Sequence, residues 1–227
     1  MREQGAMMVV CTRPAPGRED GYNRWYDEHA RIMFDYPGMD RVSRNRRDHP
    51  LGDAGENSPE YVTLYELKDR ADVDDYVNSP QMDRAKVQFE ESWDGLGTGL
   101  WSGFFEPVKT LQRAPLGERR FTEMVGSGPQ PGREKEYLDW YFGHVTEMFA
   151  FEGIVEVSLF KLSRQRAGDG KRHDFLTVYD FADEAAMRAF YRDPIFTGAG
   201  PDWHQKGLPV VDLHWAACYA SAILLQR

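Results

Sequence analysis

Apolar positions along this chain form short alternating runs and longer helical stripes, and the order of the two kinds repeats. Ala6 to Thr12, rich in Val and Met, reads as a strand closed by Arg13-Pro14-Ala15-Pro16-Gly17. Tyr22, Trp25, Tyr26, His29, Ile32 and Met33 then recur at spacings of three and four, which places them on one face of a helix that Pro37-Gly38 ends. Asp40 to Arg47 reads as an arginine-rich strand, followed by a polar loop over 48–59. Tyr61 to Leu67 alternates, with Val62 and Leu64 on one face and Tyr61, Thr63 and Tyr65 on the other. Asp69 is placed to cap a helix from Arg70 to about Asn78. Further helix is expected from Pro80 through Glu91, and a strand from Thr98 to Val108.

The second half of the chain retraces this order. Gly17-Arg-Glu-Asp-Gly-Tyr-Asn-Arg-Trp-Tyr-Asp-Glu-His29 returns, 115 residues later, as Gly132-Arg-Glu-Lys-Glu-Tyr-Leu-Asp-Trp-Tyr-Phe-Gly-His144. Over thirty residues from each glycine, twelve positions are identical, where ordinary residue usage gives about two by chance. The match indicates an internal duplication. Strands are expected over 120–125, 154–162, 175–181 and 212–224, with a helix over 133–150, a polar loop over 163–174 and a connector from Lys109 to Gly117. Residues 1–112 and 113–227 therefore read as two units, each in the β-α-β-β-α-β order of a ferredoxin-like fold. The class is α+β. Tyr61, Tyr65, Phe175 and Tyr179 give the sheets an aromatic face, which is expected to be buried by packing the two sheets into one α/β barrel, with Tyr65 and Tyr179 pointing into its interior.

Charge and composition narrow the partners. The net charge of −9 argues against nucleic acid, which is met by basic surfaces. No apolar run approaches the ~20 residues of a membrane span, and the N-terminus is unlike a secretory signal. Two cysteines, Cys11 and Cys218, are too few for a disulfide framework, so a cytoplasmic protein is expected. The chain contains no Cys-x-x-Cys, His-x-x-x-His, glycine-rich nucleotide loop or Gly-x-Ser-x-Gly. Neither a metal nor a dissociable cofactor is expected.

The arrangement of Trp25-Tyr26-x-x-His29 with Pro37-Gly38, and of Trp140-Tyr141-x-x-His144 with Gly153, resembles the dimeric α/β-barrel superfamily and, within it, EthD-like proteins. The second copy departs from the pattern in carrying Glu152 where the proline stands. Relatives are commonly homodimers of single units, so the resemblance implies a dimer fused into one chain, present as a monomeric pseudo-dimer or a homodimer. It also implies a small, often aromatic, substrate held between sheet and helices. Members include cofactor-free monooxygenases, polyketide cyclases, dehydratases, isomerases and some haem proteins.

His29 and His144 are the leading acid–base candidates, because imidazole titrates near neutral pH. The competing reading makes each a packing residue on an aromatic helix face. Tyr65 and Tyr179 are candidate proton donors, and His214, beside Trp215, is a third candidate. Tyr22, Trp25, Tyr26, Tyr61, Trp101, Tyr137, Trp140, Tyr141, Phe175 and Trp215 are expected to line the substrate site or fill core. Arg44 shares the parity of Val42 and so belongs to the helix side, where Leu159 stands in the second half. His49, His173 and His204 are expected in solvent. Asp27-Glu28 before His29, against Phe142-Gly143 before His144, makes the first site the expected working one. The expected activity is acid–base chemistry of the lyase or isomerase kind on a small hydrophobic, aromatic compound. A cofactor-free monooxygenase and a non-catalytic aromatic-ligand binder are the alternatives.

Overall fold

The computed structural model describes residues 5–168 and 173–227; part of the polar loop read over 163–174, and the start of the N-terminal segment, lie outside the described residues. The first half runs β1 (Met7–Pro14), α1 (Glu19–Phe34), β2 (Met39–Pro50), β3 (Tyr61–Leu67), α2 (Asp72–Val77), α3 (Pro80–Ser92) and β4 (Gly97–Gln112). The second runs β5 (Phe121–Pro129), α4 (Glu134–Met148), β6 (Ile154–Ala167), β7 (Phe175–Phe181), α5 (Glu184–Phe190), α6 (Pro194–Gly198) and β8 (Val211–Gln226), with short helical turns over 200–207. Local chemistry sets several of these boundaries. Ser79 accepts a hydrogen bond from the Met82 N–H and Pro80 opens α3, while Asp183 accepts from the Ala186 N–H to start α5. Gly17 and Gly132 both take positive φ, at 73° and 77°, in the turns that lead into α1 and α4.

The eight strands among the described residues form one closed antiparallel barrel in the order β1-β3-β2-β8-β5-β7-β6-β4, with β4 returning to β1. Each half contributes four consecutive strands to that circle, and β2–β8 and β4–β6 are the two seams between halves. Strands at the seams outrun what local patterning suggested. β2 reaches Pro50, β4 reaches Gln112 and β6 reaches Ala167, because each is paired along its length by a strand from the opposite half.

The side assignment expected for the aromatic face is reversed. Val62, Leu64, Leu176 and Val178 point into the barrel with Met7, Val9 and Met124. Tyr61, Tyr65, Phe175 and Tyr179 lie outside it, beneath the helices. The strand parity was sound, but volume decides which face goes in. An eight-stranded barrel has room inside for little more than its own side chains. Trp101 and Phe105 of β4, Phe160 of β6, and Trp215 and Tyr219 of β8 already occupy that room. β3 and β7 can then send in only aliphatic residues, and their rings pack outward.

One end of the barrel is closed by charge. Arg120, 2% exposed, donates to both carboxylate oxygens of Asp180 at 2.6 and 2.7 Å, and to Glu66 Oε1 at 2.6 Å. Arg41 donates to Glu66 as well and lies 3.6 Å from Glu156. Burial alone would raise the Glu66 carboxyl, but Arg41 and Arg120 outweigh it and hold it at about 2. Glu156, buried and near Asp180, is pushed up to about 7. A buried network of this kind is weak support for net stability, but losing one partner leaves an uncompensated charge.

Candidate functional site

In the first half a pocket of about 370 Å³ opens between the outer face of the sheet and helices α1 and α3. α1 sends Tyr22, Trp25, Tyr26, Ala30 and Met33 toward the sheet, as its spacing of three and four dictates. His29 lies on the border of that stripe and is half-buried. Its ring stacks on Trp25, with centroids 4.5 Å apart and planes at 18°. Its Nδ1 lies 2.9 Å from Gln88 Oε1 on α3. An amide oxygen only accepts, so Nδ1 carries the proton and Nε2 keeps its lone pair. Burial depresses the imidazole to about 4, with the Gln88 contact opposing the shift. At neutral pH His29 is therefore uncharged, with a lone pair at one defined nitrogen, and a weaker base than free imidazole.

His29 shares this pocket with Tyr26, Tyr65, Met8, Met82 and Arg166. Burial raises both phenols above their ordinary range, so they stay protonated and can donate. Arg166 comes from the end of β6, in the other half of the chain, because the β4–β6 seam carries it across. Its Nη1 lies 3.2 Å from Met8 Sδ and its guanidinium 5.8 Å from the Phe104 ring centre. The pocket thus combines an apolar wall, one neutral imidazole, two phenols and the guanidinium of Arg166, with Lys86 and Glu90 also on its lining.

Behind it lies Arg44, 1% exposed. Its guanidinium carbon sits 4.2 Å from the ring centre of Tyr61 and 4.9 Å from those of Tyr22 and Tyr26. Nη2 donates to Asn23 Oδ1 at 2.6 Å, and Nε makes no hydrogen bond. The three ring faces stabilise the cation without neutralising it. Arg44 is on the helix side, as its parity indicated, and fixes the ring of Tyr26 from behind. Tyr22 is further held by a 2.6 Å hydrogen bond with Thr12 Oγ1. Tyr22, Trp25 and Tyr61 form the wall behind Tyr26 and His29.

The second half builds the same skeleton and fills it. His144 stacks on Trp140 at 4.7 Å and 15°, and burial depresses it to about 4 as well. Trp203 then packs over both, 5.5 Å from Trp140 and 6.5 Å from His144. A Cβ on Gly207 would lie 2.8 Å from both indoles, so only glycine lets the chain close over them there. Trp140 Nε1 donates to Asp202 Oδ2 at 2.9 Å. Tyr137 is hydrogen-bonded to Ser127 and Tyr141 to Thr177, and Phe175 packs on Tyr137 at 4.8 Å. Leu159 replaces Arg44. Glu123, at the position of Met8, is pushed up to about 7 by burial, although Tyr191 donates to it at 2.6 Å and opposes the shift. The Tyr191 hydroxyl also lies 2.9 Å from Cys218 Sγ.

The candidate residues thus separate into three places. His29, Tyr26 and Tyr65 meet in the first-half pocket. Tyr137, Tyr141, Phe175 and Tyr179 are second-half core, with half-buried Trp140 and His144 at its border. Trp101, Trp215 and His214 gather at the open end of the barrel interior, joined by His173, which is half-buried there and not in solvent. Gln88, Arg166 and Met8 were not identified from sequence. Gln88 stands at helical spacing from Ala85 and Ser92, a signal that α3 turns it toward α1. Nothing local points to Arg166, since its placement depends on the length of a strand in the other half. Among the described residues no group of three or more His, Cys, Asp or Glu is arranged to hold a metal. No helix among the described residues is long and apolar enough to cross a membrane.

No family model matches the chain, and no curated protein does. Solved structures do. Two proteins named as putative monooxygenases, from Fusobacterium nucleatum and Lactobacillus acidophilus, superpose with TM-scores of 0.68 and 0.58 at 10% and 11% identity. The first comparison covers 100% of this chain and 96% of the other, and the second 99% and 96%. An anthrone oxidase-like protein matches at TM-score 0.64 and 14% identity, over 99% of this chain and 93% of its own. At such identities the likeness concerns fold. The chain has the ferredoxin-like α/β-barrel fold of these proteins.

Proposed function

We propose that this protein is a cofactor-independent monooxygenase that oxidises a small polycyclic or phenolic aromatic compound in the first-half pocket. The observation that carries the reading is His29, a neutral imidazole whose Nδ1 is held by Gln88 and whose Nε2 keeps its lone pair among Tyr26, Tyr65 and Arg166. A pocket of about 370 Å³ lies at the small end of the ~300–1,000 Å³ range of ligand sites. The names of the compared structures support oxygen chemistry and lend nothing to the lyase or isomerase reading expected from sequence.

His29 Nε2 would take a proton from an acidic ring CH2 beside a carbonyl or phenol. Arg166 and the un-ionised Tyr26 and Tyr65 would stabilise the resulting enolate, with water excluded by Met8 and Met82. The carbanion gives one electron to O2, and the radical pair joins in a C–O bond. His29 returns its proton to the peroxide, and loss of water leaves a ketone. Across the reaction CH2 and O2 become C=O and H2O. The carbon is oxidised by four electrons, one oxygen atom enters the product and the other leaves as water.

The two halves fit a tandem, EthD-like fusion of the dimer, so that one chain closes its own barrel. A cytoplasmic setting fits the free thiols of Cys11 and Cys218. Incubation with anthrone-type substrates under 18O2 tests the function. Incorporation of one labelled oxygen is expected, with turnover abolished under strict anaerobiosis. Undiminished anaerobic conversion would return the protein to the lyase or isomerase class, and binding without conversion would make it a carrier.

A further inference from the structure

Two arginines among the described residues are almost fully buried, Arg120 and Arg44, and the fold treats them differently. Arg120 is neutralised by Asp180 and Glu66. Arg44 makes no ion pair among the described residues. Its polar partner is the neutral side chain of Asn23, and its charge rests against the rings of Tyr22, Tyr26 and Tyr61. Those ring faces offset part of the cost of burying a cation and leave its field intact. A positive charge kept without a counter-ion beside a ligand pocket calls for a use.

The second half shows the same positions without that charge. Leu159 is the register partner of Thr177, as Arg44 is of Thr63. Thr177 Oγ1 donates to the Tyr141 hydroxyl at 3.1 Å and ties that phenol to the sheet. Thr63 Oγ1 is buried and makes no hydrogen bond, so Tyr26, the counterpart of Tyr141, is not tied in this way. Tyr26 instead sets one ring face toward the Arg44 guanidinium and lines the first-half pocket. Exchange of leucine for arginine thus goes with a phenol released from the sheet, in the half that keeps a cavity.

Arg44 does not line the pocket, so it acts there through Tyr26 and through its field. A cation over a phenol face withdraws electron density from the ring and makes the hydroxyl a stronger donor to an anion. Burial raises the phenols of Tyr26 and Tyr65, and Arg44 opposes both shifts. A fixed charge in surroundings of low dielectric is weakly screened and needs no reorganisation when negative charge develops nearby. Arg166 and Lys86, the cations on the pocket lining, are exposed and are screened by water and salt. We propose that Arg44 is a positioning residue that, acting through Tyr26, stabilises an enolate or phenolate formed beside His29. This role rests on the reading of the pocket as the site where a substrate anion forms.

The ionisation of a bound phenol tests it without O2 or turnover, so this role and the oxygenase reading can fail separately. Anaerobic pH titration of the full-length protein saturated with 4-nitrophenol, read by nitrophenolate absorbance, gives the acidity of the bound probe. Movement of the His29 ring resonances, assigned by their loss in His29→Gln, places the probe in the pocket. In Arg44→Leu, which imports the second-half residue, the pKa of the bound probe is expected to rise by about one pH unit, a tenfold loss of preference for the anion. Arg44→Lys keeps a charge and should shift it less. In a Tyr26→Phe background the effect of Arg44→Leu should fall by at least about half. An unchanged pKa in folded Arg44→Leu overturns the proposal, as does an equal shift in Arg44→Lys or a probe bound away from His29. A full effect surviving in Tyr26→Phe removes Tyr26 as the intermediary. Should Arg44→Leu fail to fold, the wild-type protein decides: its bound pKa should hold as salt is raised, and a pKa that climbs with salt assigns the anion to exposed Arg166 and Lys86 and overturns the role of Arg44.

Discussion

The two helix–sheet faces share a scaffold and differ in what fills it. Both stack a histidine on a tryptophan at nearly the same distance, 4.5 and 4.7 Å, and both depress that histidine to about 4 by burial. An imidazole with altered basicity is therefore no mark of the working site, because burial in either half produces it. The halves part in the surroundings. The first leaves a cavity, pins Nδ1 with Gln88 and brings in Arg166. The second lays Trp203 over its histidine and gives Asp202 to the tryptophan. Access and a defined lone pair separate the two histidines, and basicity does not.

Moving residues between the halves should break the comparison where it is strongest. Leu159→Arg forces a cation among Tyr137, Tyr141 and Phe175, which already pack on one another at 4.8–5.0 Å, with Leu138 where Asn23 accepts from Arg44 in the first half, and about 3–5 kcal/mol of stability should be lost, as for an uncompensated buried charge. A denaturant midpoint close to wild type would mean that the second half can shelter an arginine as the first does. Tyr191→Phe removes the donor to buried Glu123 and is expected to cost about 1–3 kcal/mol. If Glu123 stays protonated without it, the loss shrinks at pH 5 relative to pH 8. Gln88→Leu frees the His29 tautomer and should lower kcat about tenfold, ~1.4 kcal/mol of activation barrier, with KM little changed. A change in KM alone would make Gln88 a binding residue.

The smallest effect is in the pH dependence of stability. His29 and His144 titrate near 4 when folded against an ordinary 6.5. The unfolded chain binds more protons between those values, so their contribution is present above about 6.5 and is lost as pH falls toward 4. Glu123, raised to about 7 from 4.5, acts in the opposite direction: its contribution is present below 4.5 and is lost as pH rises through 7. The second half should partly cancel its own slope, and the first should not. Urea midpoints of His29→Gln and His144→Gln between pH 4.5 and 7 check this. Each variant should flatten the acid side, and identical wild-type slopes would remove burial as the cause.

Much of the scaffold could be read directly from the chain. The spacing of Tyr22, Trp25, Tyr26 and His29 fixed the helix stripe, and alternation in Tyr61–Leu67 fixed the strand parity. Parity says which residues share a face, but not which face turns inward. Parity alone is therefore compatible with aromatic rings of β3 and β7 inside the barrel, where Trp101, Phe105, Phe160, Trp215 and Tyr219 leave them no room. Tyr65 entered the candidate site all the same, from the helix side. His173 illustrates the other gap. It sits in a polar stretch that patterning reads as solvated, and its partners Trp215 and His214 lie on β8, about forty residues away. Contacts made across barrel seams and from loops have no local signature.

Turnover of His29→Ala and His144→Ala, compared under saturating O2 with a substrate that wild-type protein oxidises, decides whether His29 is the base. His29→Ala is expected to lose about 10²–10⁴ in kcat, the range for removing a general base, while folded His144→Ala stays within about twofold of wild type. Equal losses in the two variants, or retained turnover in His29→Ala, would contradict it.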